Sequence, residues 1–488
     1  MTQRNRTDRR HRAGAAAGGL AAALTALALL AGGCTEATGG VRGTPGAAGL
    51  RDPYFPRLGN GGYDVSHYAL TLAYEPRTGR LDGTAEITAR ATQDLSAFNL
   101  DLAGLTVDRA SVDDAPAAVN RAGNELTLRP REEIREGAEF RTTVTYRGVP
   151  EPITDADGSE EGWLRTDDGA VAVGEPAGSM TWFPGNHHPS DKAAYELTLT
   201  VPAGLEGLSN GVRTARRTAA DGRVTTEWHM AEPMASYLAT VAIGRYETAT
   251  GVAKGDGDGD GVATGAPDSV PVLTAAERPI ADATAPLRGE IPEIIARQTR
   301  RFGPYPFSSA GAIVTEDGTL GYALETQTRP VFPAAAFDRT TLVHELAHQW
   351  FGNSVSPASW RDLWLNEGFA TYAEWLYTEE YEHVPARTHF ERALAQEANW
   401  AFPPASPPTA ENLFDPPVYQ RGAMVLHMLR ETVGEKTFDE ILRGWPAKYR
   451  HANASTDDFT AYAESVAGRD LDELWDIWLY GEEKPDTR

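Results

Sequence analysis

Apolar residues recur at every second position through the first half of the chain. Tyr68, Leu70, Leu72 and Tyr74 form one such run, Ala85, Ile87 and Ala89 a second, and Tyr195, Leu197, Leu199 and Val201 a third. A period of two puts such residues on one face of a strand. Gly, Pro and Asp turns separate the runs. The stretch from Tyr54 to about Tyr246 therefore predicts a mostly antiparallel β domain. Beyond Val270 the spacing lengthens. Leu287, Ile291, Ile294 and Ile295 fall on one helical face, with Pro292 an expected kink. A short mixed region runs from Phe302 to Pro333. Helices are then expected between an N-cap at Asp338 and a stop at Gly352, near Leu363 to Tyr377, from about Tyr419, and over Phe438–Tyr449 and Phe459–Tyr480. No internal repeat is evident.

Two stretches follow neither period. Arg4, Arg6, Arg9, Arg10 and Arg12 precede an apolar run from Ala13 to Ala31, which ends in Gly32-Gly33-Cys34. That order is an export signal. Its end is similar to a bacterial lipobox, in which the cysteine receives lipid, although Ala31 stands where Leu is usual. The expectation is a cell-surface lipoprotein attached to the membrane through Cys34. An uncleaved N-terminal anchor or a secreted form are the alternatives. Residues 35–51, rich in Gly, Thr and Ala, read as a tether. The second stretch holds Asp256, Asp258 and Asp260, alternating with glycine. Alternate aspartates suit calcium, but Pro267 occupies the twelfth loop position, where an EF-hand needs a bidentate Glu. A plain acidic loop is the better reading, with weak calcium binding left open. The resulting division is 1–33 signal peptide, 34–51 tether, 52–270 β domain and 271–488 mainly helical domain.

Composition narrows the partners. The chain has 488 residues, 41% hydrophobic and 9% aromatic, enough for two or three packed domains. A net charge of −24 opposes a nucleic-acid partner. Cys34 is the only cysteine, so no intrachain disulfide is available. Oligomeric state is not legible.

The chemistry concentrates at His344-Glu345-Leu346-Ala347-His348. Histidines four apart on a helix share one face, one turn apart, where a single ion can take both. Nineteen positions after His348 stands Glu367, within Trp364-Leu365-Asn366-Glu367-Gly368-Phe369-Ala370. Three protein ligands leave a fourth position for water, the coordination of a catalytic zinc. Glu345 can reach that water as general base. Both helices are otherwise apolar, so polar groups upon them need partners. Glu374, two turns beyond Glu367, fits either a partner for a ligand histidine or a solvated face.

On these motifs the chain resembles the aminopeptidase N family of zinc metallopeptidases, from about Asp52 to the C-terminus. Tyr322-Ala323-Leu324-Glu325-Thr326 stands where that family carries Gly-Ala-Met-Glu-Asn, and Tyr419-Gln420-Arg421-Gly422 where it has Tyr, any residue, Lys, Gly. Trp182-Phe183-Pro184, with Pro189 and Lys192, matches its Phe-Pro segment. Thr326, Leu324 and Arg421 depart from the pattern, as does Gly185-Asn186-His187-His188. His187 and His188 read as turn residues before Pro189. The resemblance implies an α+β multidomain fold, an N-terminal antiparallel β domain followed by a thermolysin-like, mainly helical zinc catalytic domain. It implies one zinc ion on His344, His348 and Glu367, with Tyr419 as oxyanion donor. Glu325, Glu175 and Ala323 are expected against a substrate with a free N-terminus. Because the sequence ends soon after Tyr480, a site less covered than in larger members is expected. Zinc endopeptidase, epoxide hydrolase and a catalytically silent binding lipoprotein are the alternatives.

Overall fold

The alternating runs form the spine of a twisted eight-stranded sheet. The computed structural model describes residues 42–155, 158–254 and 269–485. In spatial order the sheet comprises Val212–Thr218, Val224–Ala235, Lys192–Val201, Tyr63–Glu75, Arg80–Ala91, Glu139–Gly148, Thr106–Val112 and Ala115–Pro116. Its pairs are antiparallel except one. Lys192–Val201 runs parallel to Tyr63–Glu75, with Tyr195 opposite Tyr68, Leu197 opposite Leu70 and Leu199 opposite Leu72. On the other side Leu70 faces Ala85 and Tyr68 faces Ile87. One register thus gathers all three apolar runs onto a buried face. A five-stranded sheet beside it includes Glu160–Arg165, Ala170–Val173 and Val241–Gly244.

The helical part begins with a sheet of its own. Tyr246–Lys254 pairs antiparallel with Ser269–Glu277, which lies parallel to Ala310–Thr315, followed by Val331–Pro333. Every residue of Ala310–Thr315 is buried, as a parallel central strand requires. The expected boundary at 270 falls inside this sheet, because backbone pairing ties 246–254 to the strands beyond it. Pro292 does not kink a helix. It stands in the first turn of Ile291–Phe302, separate from Ala281–Arg288, where its missing N–H costs no hydrogen bond. The later helices include Arg339–Ala347, Trp364–Tyr381, Ala386–Ala395, Gly422–Val433, Glu435–Lys448 and Thr456–Ala467. Among the described residues no helix is long and apolar enough to cross a membrane.

Two side chains bolt the sheets to the helices. The Lys192 ammonium donates to the carbonyls of Asn353 and Ser354, at 2.9 Å each. Asp52 accepts from Ser359 Oγ at 2.8 Å and from the Trp360 N–H at 3.0 Å. The tether reading is corrected for 42–51, since Thr44–Pro45 joins a sheet edge beside Leu95–Asp101. The signal segment, Cys34 and the 256–260 loop lie outside the described residues.

Candidate metal centre

Arg339–Ala347 starts as expected, with Asp338 accepting from the Thr341 N–H at 3.0 Å. After Ala347 the turn loosens. Asn353, Ser354 and Val355 donate to the carbonyls of His348, Gln349 and Trp350, and Gly352 takes φ +124°, so the chain turns away at the expected stop. The second helix, Trp364–Tyr381, crosses Gly422–Val433 at a glycine–glycine contact. A Cβ on Gly368 would come within 2.9 Å of Gly422 backbone. These bare positions bring Glu367, next to Gly368, and Tyr419, three residues before Gly422, into one cavity. Tyr419 itself lies on a widened turn, Pro417–Arg421, not on the helix it was expected to open. Such insertions re-aim a side chain.

The donor atoms of His344, His348 and Glu367 converge within 4.8 Å of one another. Glu367 Oε2 is 3.3 Å from His344 Nε2 and 3.5 Å from His348 Nε2. The remaining ring nitrogens are occupied: His344 Nδ1 lies 2.6 Å from Glu374 Oε1, and His348 Nδ1 lies 3.0 Å from the Phe351 carbonyl. Both partners accept, so Nδ1 carries the proton and Nε2 presents its lone pair to the centre. Glu374 is thereby assigned to orienting His344 and not to a solvated face. Two imidazole nitrogens and one carboxylate oxygen, buried and converging, fit a zinc ion with an open side.

The same cavity, of about 480 Å³, also receives Glu345, Glu325, Glu175, Ala323 and Tyr419. The structure thus brings every site residue expected from the sequence to one place. Glu345 Oε2, Glu325 Oε1 and Glu175 Oε1 are buried without a hydrogen-bond partner. Burial pushes Glu345 up to about 8, against the pull of His344 and His348. Burial, with the Glu325 charge adding to it, raises Glu175 well above the carboxylate range. Burial disfavours ionised Glu367 as well, but the two histidines outweigh it and hold it at about 2. The ring of Tyr419 lies 6.2 Å from that of His344, nearly parallel to it.

Glu325 is held by its backbone. Asn353 Nδ2 and Gln349 Nε2 donate to the Glu325 carbonyl at 2.7 and 3.2 Å, and Leu324 exchanges two hydrogen bonds with Val331. Thr326, which replaces the family's Asn, donates to the Arg329 carbonyl and stays buried. Arg421 does not enter the cavity. Its guanidinium donates to the carbonyls of Trp478 and Phe402. His188 lies 2.6 Å from Ser190 Oγ and 3.4 Å from Asp52, and His187 Nε2 donates to the Phe183 carbonyl at 3.0 Å, so both serve the turn.

Sequence reasoning missed Asn353, Gln349 and Tyr237. Tyr237 donates to the Gly352 carbonyl at 3.3 Å and accepts from Asn366. The two amides had a signal, being polar residues within a Trp-Phe-Gly stretch just past His348. Phe55, Glu411, Phe414 and Asp415, which also line the cavity, had none, because only the tertiary fold carries them there.

Two family models match the chain. The peptidase M1 N-terminal domain covers residues 64–238, and the peptidase family M1 domain covers residues 336–478. Aminopeptidase M1-A of Oryza sativa subsp. japonica is 30% identical over 336 residues, 63% of this chain and 36% of that protein. Glutamyl aminopeptidase of Homo sapiens is 24% identical over 364 residues, 70% of this chain and 35% of that protein. The chain thus spans about a third of the length of these relatives. Solved structures match more fully. An M1 zinc metallopeptidase of Deinococcus radiodurans, solved as a mutant bound to a Tyr-Ser-Ala substrate, aligns with a TM-score of 0.82 at 28% identity. That alignment covers 90% of this chain and 99% of the other. A two-domain M1 zinc metallopeptidase mutant bound to L-tryptophan aligns with the same TM-score at 27% identity, over the same shares of both chains.

Proposed function

Because the chain belongs to peptidase family M1, we propose that it is a zinc aminopeptidase that removes the first residue from peptides with a free N-terminus. The observation that carries this reading is the placement of Glu325 and Glu175, buried and with unpartnered oxygens, in the cavity that holds the three-donor cluster. A buried carboxylate pair beside a hydrolytic centre calls for a cationic group, and the α-ammonium of a peptide supplies one. A blocked or internal residue brings no such charge, which disfavours the endopeptidase reading.

His344, His348 and Glu367 hold the zinc ion, which when bound acts as a Lewis acid on the scissile carbonyl and lowers the pKa of the attacking water. Glu374 keeps His344 in the tautomer that offers Nε2. Glu345 accepts the water's proton on a carboxylate oxygen and returns it to the leaving amine. The Tyr419 hydroxyl donates to the oxygen on which negative charge develops. Glu325 and Glu175 hold the α-ammonium, which limits the cut to one residue from the end. Ala323 leaves room beside them for the first side chain.

The test is release of a chromogenic amide from amino-acid substrates. Activity should be lost on chelation and restored by zinc, and a protein with neither zinc nor amidase activity overturns the reading. The export signal and Cys34 support an extracellular, lipid-anchored location. Mass spectrometry of the mature N-terminus should find lipidated Cys34 as the first residue; an unmodified Met1 start would contradict that location.

A further inference from the structure

The cavity gathers more carboxyl groups than one zinc ion and one ammonium account for. Glu175, Glu325, Glu345 and Glu367 face it, Asp155, Glu411 and Asp415 also line it, and among the described residues neither Lys nor Arg does. Within this set one triad overlaps the His344–His348–Glu367 cluster only at Glu367. Ligand oxygens of Glu175, Glu325 and Glu367 lie within 4.8 Å of one another. Glu175 is 7% exposed and Glu325 2%, and Oε1 of each is buried with no hydrogen-bond partner. Buried carboxylates normally find donors or a cation. Among the described residues no donor reaches either oxygen.

We propose that Glu175 and Glu325, with Glu367 shared as a bridging carboxylate, form a second divalent-cation site that fills in the absence of peptide and is emptied by the substrate's α-ammonium. The proposal rests on the reading of His344, His348 and Glu367 as the resident zinc site. The two donor sets differ in chemistry. Two imidazoles and a carboxylate suit zinc, whereas an all-carboxylate set completed by water suits a harder ion such as Mn²⁺. Ammonium and metal ion compete for the same oxygens, so the second ion is an inhibitor competitive with free-amine substrates. The cradle that measures one residue from the cut then also makes turnover sensitive to divalent-ion concentration.

Zinc is invisible to electron paramagnetic resonance and Mn²⁺ is not, which separates the two sites. Zinc-loaded protein is titrated with Mn²⁺ while metal analysis confirms that zinc is retained. The expected result is one equivalent of immobilised Mn²⁺, released by L-leucinamide but not by N-acetyl-L-leucinamide. In Glu175→Gln the leucinamide-sensitive equivalent should weaken at least tenfold with zinc content unchanged. Glu325→Gln should behave alike, and the retained zinc certifies that both variants fold. Absence of a leucinamide-sensitive equivalent in the native protein overturns the proposal, as does its persistence at full affinity in both variants. In either case a retained zinc leaves the catalytic reading standing. A protein that takes up no zinc overturns both.

Discussion

The metal-binding half of the cavity and the amine-binding half are assembled by opposite means. His344 and His348 share one helix, and Glu367 follows 23 residues after His344 on the next. Their positions rest on helical geometry and one glycine–glycine crossing. Glu175 comes instead from the β domain, and Glu325 from a loop held by Asn353, Gln349 and pairing to Val331. The donors of the metal half are aimed by hydrogen bonds to their outer nitrogens, while the amine half keeps buried oxygens unpartnered. A permanently bound ion needs rigid ligands of fixed tautomer. A transient ammonium needs acceptors left open until it arrives. The contrast teaches that reactivity and end-recognition are separable parts of this molecule, and substitutions should divide them.

The largest effect is expected at Glu345. Glu345→Gln should retain zinc by metal analysis and lower kcat about 10³-fold, the scale of a lost general acid–base group. Tyr419→Phe should lower kcat about 10²-fold with little change in KM, as for a lost oxyanion donor. Glu325→Gln should sharpen the comparison from the other side. It should lower kcat/KM for free-amine substrates about 30-fold, the loss of a hydrogen bond to a charged group, while leaving hydrolysis of N-acetylated substrates unchanged. Steady-state kinetics on both substrate classes distinguishes these three.

Glu374→Ala should weaken zinc about tenfold in a chelator competition, because His344 loses its orienting partner, without altering amine discrimination. The smallest effect lies outside the cavity, at Asp52. Burial opposes ionisation there, but hydrogen bonds from His188, Tyr54, Ser359 and Trp360 outweigh it and hold the carboxyl well below its ordinary range. A depressed folded pKa means a contribution to stability that is present above the unfolded value and lost as pH falls through the folded one. Asp52→Asn should therefore be destabilised at neutral pH by about 1 kcal/mol, and the gap to the native protein should close as pH falls below about 4. A thermal-melting series across pH reads this.

The same contrast decides how much was legible beforehand. His344, His348 and Glu367 were readable because spacing on helices translates directly into a shared face. The strand faces built on Tyr68, Leu70, Ala85 and Leu197 were readable because a period of two survives any choice of neighbours. Glu325, Glu175 and Tyr419 were reached only through resemblance, since no local period links a loop, a β-domain segment and a widened turn. Glu374 stayed ambiguous because a carboxylate on a helix looks the same whether it faces solvent or His344. The change in pattern near 270 does not mark the end of a sheet, because pairing of Tyr246–Lys254 with Ser269–Glu277 crosses it. The mid-chain Pro292 was misread for a similar reason, as a proline opening a helix and a proline bending one share the same neighbours.

Discrimination by the native zinc-loaded protein between a leucine amide substrate and its N-acetylated counterpart tests the aminopeptidase assignment most directly. The expected result is a kcat/KM at least 100-fold higher for the free amine, abolished in both by chelation. Equal rates on the two substrates would contradict it.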